Sequence, residues 1–343
     1  MDKSSLVDLL EKNKGALYHQ TVCAVSKNGE QIFEHGVNCE MDAIFDLASV
    51  SKIITGTSVF KLISNGSLGL LQTAAELFQA ESRDFGPRTK ELFNHITLKS
   101  LLAHSSGLPA WFPFYTQKGS FWEVLEIALN KYPVETGPVY SDLGFMLLGK
   151  AICAASGRGL EHSLKELNAD LGTSFVYNPH NPEDCVETER GNRIETKMCA
   201  DRDLSFEDFR NPEINIRGQV NDGNAFYFWQ GTAGHAGVFG TAKDLLKLGG
   251  LYLNDGIVNG NEVIRADIIK ESIVDYGGSR GLMWDLSDIF IKGFGHTGFT
   301  GTSLYICPEK SIAAVILTSR LVIEPAPNLR PFRLEAHDII YRG

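Results

Sequence analysis

"DLASVSKIITGTSVFK", residues 46–61, holds two Ser-x-x-Lys patterns, Ser49-Val50-Ser51-Lys52 and Ser58-Val59-Phe60-Lys61. The pattern is short enough to occur by chance, so its surroundings must separate the two. From Val50, the residues Ile53, Ile54, Thr57, Phe60 and Ile63 recur at helical spacing, and Asn65-Gly66 closes the run as a C-cap. Ser49 and Ser58 are nine residues apart. At about 100° per residue they fall on opposite faces of that helix. Ser58 lies mid-helix, where neighbouring amides already bond to carbonyls. Ser49 lies at the helix start, where amides lack intrahelical partners and the dipole favours negative charge. Lys52 is one turn on, on the face of Ser49. A serine hydroxyl becomes a useful nucleophile when a neighbour takes its proton, and a lysine can do so if its pKa is lowered. The bland reading of the same residues is a helix cap and a solvated lysine.

Around this stretch, His19–His35 reads as a hairpin about Asn28-Gly29. Thr97 can cap a short helix ending at Ser105-Ser106-Gly107. Asp142 can cap LGFMLLGKAICAAS, which stops at Gly157. Thr241 and Asp244 open DLLKLGGLYL. Residues 296–318 read as strands, with TSLYIC and IAAVILT flanking the turn at Pro308–Ser311. Residues 172–230 are polar and poorly periodic, the pattern of an elaborated loop region that walls a pocket. Strands at both ends and helices between them predict an α+β fold. One sheet is built from the two termini, 1–66 and 231–343, and a mostly helical domain, 67–230, is inserted.

The chain has 343 residues, 43% hydrophobic and 22% charged, the balance of a globular protein with a sizeable core. A net charge of −10 without a basic cluster argues against a nucleic-acid surface. The N-terminus has no apolar signal core, and no long uncharged apolar run predicts a membrane span. The expectation is a cytoplasmic protein. Its six scattered cysteines, none in C-x-x-C, are expected to be reduced thiols. His162 and His180 lack ligand spacing, and neither a metal nor a cofactor is expected.

Five segments, "FDLASVSKIITG", "ITLKSLLAHSSGLP", "YSDLGFMLLGKAI", "AGHAGVFGTAKDL" and "GHTGFTGTSLYICPEK", occur in that order. Together they resemble the class C β-lactamase-like serine hydrolases, a group that includes D-alanyl-D-alanine carboxypeptidases, D-aminopeptidases and carboxylesterases. The resemblance runs from about residue 20 to 320. It implies the β-lactamase/transpeptidase-like fold, with Ser49 as nucleophile, Lys52 as its proton-handling partner and Tyr140 as general base. Tyr140 opens the counterpart of a Tyr-x-Asn motif. The literal match at Tyr252-Leu253-Asn254 reads better as a helix end. A Lys-Thr-Gly motif falls on His296-Thr297-Gly298, and the oxyanion donors would be the amides of Ser49 and Phe299. His235 reads as a structural histidine.

Two positions depart from the family. Asp142 replaces Asn and, when ionised, cannot donate a hydrogen bond. His296 replaces Lys and, with an ordinary pKa of about 6.5, is mostly neutral near pH 7.5. Both departures weaken the case for β-lactams and D-alanyl-D-alanine. The resulting expectation is a hydrolase of esters or small amides, with carboxylate binding improving toward pH 6 as His296 protonates. A D-amino-acid-specific peptidase or carboxypeptidase, a β-lactamase, a transacylase and a catalytically silent binding protein are the alternatives.

Overall fold

The computed structural model describes all residues, 1–343. Helix α1 (Lys3–Lys12) leads into strands β1 (Thr21–Lys27) and β2 (Glu30–Val37). Helix α2 (Ser51–Ser64) follows, then α3 (Leu98–Leu102), α4 (Asp142–Ser156) and α5 (Ala242–Leu253). The chain returns to strands β3 (Phe294–Thr297), β4 (Ser303–Cys307) and β5 (Ile312–Thr318), and ends in α6 (Arg330–Arg342). The strands form one antiparallel sheet in the order β2-β1-β5-β4-β3. Both termini therefore meet in it, with Thr21 opposite Thr318 and Lys27 opposite Ile312.

Period-two alternation sends successive side chains of β1 and β5 to opposite faces. Val22, Ala24, Ala313, Val315 and Leu317 join a core with Leu245 and Leu248 of α5. Cys23, Val25, Ile312, Ala314 and Ile316 join a second core with Leu6, Leu9 and Leu10 of α1 and Phe332, Ala336 and Ile340 of α6. Two covered faces explain why β5 reads as an almost unbroken apolar run. The helix–sheet approach is tight at Gly249, where a Cβ would come within 2.8 Å of the Ala313 Cβ. The first core continues without a break into the helical region, through Ile53 and Phe60 of α2 and Phe145 and Leu148 of α4.

Local cues work as the sequence suggests at most ends. Thr97 and Thr241 make capping boxes, and Gly157 ends α4 in the left-handed conformation with φ 66. One cap differs. Ser141, not Asp142, caps α4, accepting from the Gly144 amide. Asp142 is the first helical residue, and its carboxylate is thereby free for another partner. Segment 172–230 has little regular structure beyond the strand Val176–Tyr177 and the helix Arg193–Ala200. All six cysteines are free thiols, and no helix is long and apolar enough to cross a membrane.

Candidate active site

Ser49 owes its position to a short, strained turn. Phe45–Asp46 pairs with Phe239–Gly240. The buried Asp46 carboxylate then accepts the Ala48 amide at 2.9 Å and the Asn221 amide at 2.7 Å. Ala48 is left-handed, with φ 48, a conformation that costs an L-residue roughly 1–2 kcal/mol. One 3₁₀ turn, Ala48–Val50, carries Ser49 into the start of α2. The β3–β4 loop braces the turn from the other side. Thr300 Oγ1 donates to the Asp46 carbonyl and Thr302 Oγ1 to the Leu47 carbonyl, each at 2.8 Å. Gly298 has to be glycine here, because a Cβ would stand 2.6 Å from the Leu47 oxygen.

Lys52 has no exposed surface. Its Nζ donates to Ser49 Oγ at 3.0 Å and to the His235 carbonyl at 2.9 Å, and lies 2.7 Å from Asp142 Oδ1. Burial alone would disfavour the charge. Asp142, and after it Tyr140, outweigh burial and raise the Lys52 pKa above its ordinary value. Lys52 therefore stays a cation at neutral pH, and Asp142 serves as its counter-ion in addition to any contact with substrate.

Tyr140 is pinned by the loop after α3. Val139 and Ser141 donate their amides to the carbonyl and the Nδ1 of His104, and Ser141 Oγ donates to the Pro109 carbonyl. This is the work of the "HSSGLP" segment. The His104 ring lies 4.5 Å from the Tyr140 ring, and Lys52 Nζ lies 5.0 Å from that ring's centroid. Burial, opposed by Lys52 and reinforced by Asp142, holds the Tyr140 hydroxyl above its ordinary pKa. Its oxygen is buried and has no hydrogen-bond partner.

A cavity of about 430 Å³ opens on this cluster. Ser49, Tyr140, His296, Thr297, Gly298 and Phe299 all line it, so every sequence-derived candidate except the buried Lys52 and its partner Asp142 faces one space. The Phe299 amide donates to no group of the protein. A larger depression, about 840 Å³ between β1, β2 and α5, contains none of these residues. Ser58 is elsewhere, bonded to the Ile54 carbonyl, and Tyr252 is buried in α5 against Thr57. His235 is buried and pairs with Asp222 at 2.8 Å, while its carbonyl anchors Lys52.

One expectation is corrected. His296 does not protonate near pH 6. Burial first, then the positive charges of Lys52 and Arg280, push it down to about 3. Segment 172–230 lines smaller hollows, through Phe175, Tyr177, His180 and Trp229, and not this cavity. It braces the site from behind, through Asn221 on Asp46 and Asp222 on His235. Sequence reasoning also missed four arginines, Arg280, Arg320, Arg330 and Arg333, all of which line the cavity. They are scattered over more than fifty residues, so no local cluster announces them.

The family model described as Beta-lactamase matches residues 18–338. The chain belongs to the β-lactamase family. It is a serine hydrolase of that family, with the β-lactamase/transpeptidase-like fold. Among its relatives is an N-acetylmuramyl-L-alanine amidase of Bacillus subtilis, 29% identical over 339 residues, covering 89% of this chain and 75% of the relative. Similar solved structures include a class C β-lactamase from Rhodobacter sphaeroides, with TM-score 0.72, 17% identity and 99% of each chain covered. EstCE1, described as a hydrolase with promiscuous acyltransferase activity, has TM-score 0.71 and 16% identity, with 97% of each chain covered.

Proposed function

We propose that this protein hydrolyses small esters or amides through an acyl-enzyme formed on Ser49. The observation that carries the reading is the contact of Ser49 Oγ with Lys52 Nζ at 3.0 Å, at the floor of a cavity that Tyr140 and Phe299 share. Ser49 Oγ attacks the substrate carbonyl and its proton passes to the Tyr140 phenolate. The amides of Ser49 and Phe299 receive the oxyanion. The bond to the leaving group breaks, and Tyr140 returns the proton to that group. Water then adds to the acyl-enzyme by the same route and frees Ser49. Lys52, kept charged by Asp142, acts as the fixed cation that favours phenolate rather than as the base itself.

The relative's name, an amidase, supports amide bonds among the substrates. Fluorophosphonate treatment followed by peptide mass spectrometry tests the mechanism. One adduct is expected, on the peptide bearing Ser49. It disappears in Ser49→Ala and persists in Ser58→Ala. Tyr140→Phe is expected to cost at least about 10²-fold in kcat on a p-nitrophenyl ester, the range of general acid–base catalysis. An adduct that survives Ser49→Ala refutes the proposal.

A further inference from the structure

We propose that Asp46 is a positioning residue of the reaction, which holds the peptide before Ser49 so that the Ser49 amide faces the oxyanion. The proposal rests on the acyl-transfer reading of the cavity and gives a part in it to a side chain that does not touch the substrate.

The turn that presents Ser49 does not hold itself. Ala48 sits at φ 48, where an L-residue is strained, and such a conformation persists only when its surroundings over-determine it. The peptide that joins Ala48 to Ser49 carries the Ser49 amide. Relaxation of Ala48 into a right-handed conformation would swing that peptide and turn its N–H away from the reacting carbonyl. Thr300 and Thr302 hold the two carbonyls upstream, those of Asp46 and Leu47. The Ala48 amide is held by Asp46 Oδ1 at 2.9 Å. Asp46 Oδ2 accepts the Asn221 amide at 2.7 Å, and the Asn221 side chain bonds in turn to the amide and carboxylate of Glu189. One carboxylate thus ties the strained turn to the irregular segment 172–230, with one amide on each oxygen.

The ionised form is what this arrangement needs. Two amide donors converge on the group, and a buried carboxylate is worth its desolvation only when it is so bonded. Burial, the largest influence, raises the Asp46 pKa to about 6. The two amides oppose that rise, Asp222 adds to it and Arg210 opposes it. Cys185, whose thiol burial pushes up to about 11, is a further neighbour and stays neutral. As pH falls through about 6 the carboxyl gains a proton, and one of its oxygens becomes a donor facing an amide donor. The turn is then held at one point instead of two.

Turnover of p-nitrophenyl acetate tests this. Asp46→Asn keeps the shape of the side chain but replaces one acceptor with a donor. It is expected to lower kcat at least about tenfold, the factor of a charge-assisted hydrogen bond, with KM nearly unchanged, as for an interaction that serves the transition state. Ala48→Gly removes the strain that Asp46 holds, because glycine takes a positive φ freely. In that background Asp46→Asn is expected to cost several-fold less, a non-additivity that a carboxylate needed only for stability would not show. Equal losses in the two backgrounds, or a loss in KM rather than kcat, overturn the proposal. In the unmodified protein kcat/KM is expected to fall as pH drops through about 6. That limb is expected to be absent in Asp46→Asn and weaker in Ala48→Gly, so the comparison stands even if Asp46→Asn fails to fold. A limb of equal depth in the unmodified protein and Ala48→Gly overturns the proposal. Hydrogen exchange across residues 45–52, corrected for the intrinsic effect of pH, reads the turn without turnover. Protection is expected to fall between pH 7.5 and pH 5, and unchanged protection overturns the proposal. Labelling of Ser49 is scored separately. Its absence refutes the acyl-transfer reading and leaves the exchange result interpretable.

Discussion

Asp142 stands 2.7 Å from the Nζ of a fully buried lysine, and that contact limits which protonation states the site can reach. Its negative charge outweighs burial in raising the Lys52 pKa, and it adds to burial, the larger cause, in raising that of Tyr140, so both lie above their ordinary positions. The reactive form in the proposed mechanism carries a phenolate. It is the minor form at neutral pH and grows as pH rises. The rate is therefore expected to climb into the alkaline range. Asp142→Asn removes the charge that raises both groups, so both pKa values fall and the rising limb of kcat/KM against pH moves to lower pH. A like charge at this range shifts a neighbour by about one unit or more. A pH profile on a p-nitrophenyl ester measures it. A limb that does not move would show that Asp142 is not coupled to the proton route. Tyr140→Phe distinguishes the two possible bases, because it removes the limb only if the tyrosine is the titrating group.

At the scale of elements, the strongly patterned pieces were legible and the irregular ones were not. The helix carrying Ser49, the hairpins and the capping boxes depend on local periodicity and local hydrogen bonds, which a sequence displays directly. The misassigned cap at Asp142 is a choice between adjacent residues, Ser141 and Asp142, both good caps. Ser141 takes the cap, and Asp142 pairs instead with Lys52, ninety residues away. Asp46, Glu189 and Glu195 look like ordinary acidic residues in the sequence, yet all three are buried, because their partners come from segment 172–230 and the loops it touches. Glu195 accepts from Tyr115 Oη and from the Gly223 amide, each at 2.7 Å. Burial first, and the charge of Asp222 second, raise its pKa. The sign for stability follows. The folded chain holds this proton at pH values where the unfolded chain, titrating near 4.3, has released it. Folding therefore weakens as pH rises above that value. Glu195→Gln, a mimic of the protonated form, is expected to be near neutral at pH 5 and stabilising at pH 8. Urea midpoints at the two pH values measure it. A larger gain at pH 5 than at pH 8 would reverse the assignment.

For the whole molecule, the final helix joins the two halves of the design. Its first turn brings Arg330 and Arg333 to the cavity. Its remaining length lays Ala336 and Ile340 on the back of the sheet, against α1 and the inner residues of β1 and β5. The two cores lie on opposite faces of one sheet, and the Ser49 turn belongs to the front one. Ile289 and Leu329 of the back core also line the cavity but Ile340 does not, so a defect at Ile340 should lower stability without altering the cavity. Ile340 is fully buried in the back core, two turns along α6 from Arg333. Ile340→Ala leaves a cavity there, and such truncations cost about 2–5 kcal/mol. The urea midpoint is expected to fall accordingly. The rate of fluorophosphonate labelling at Ser49, measured without denaturant where the protein is still folded, is expected to stay at the unmodified value. A labelling rate that falls in step with stability would mean that α6 transmits strain from the back core into the cavity. The two faces would then have to be treated as one cooperative unit.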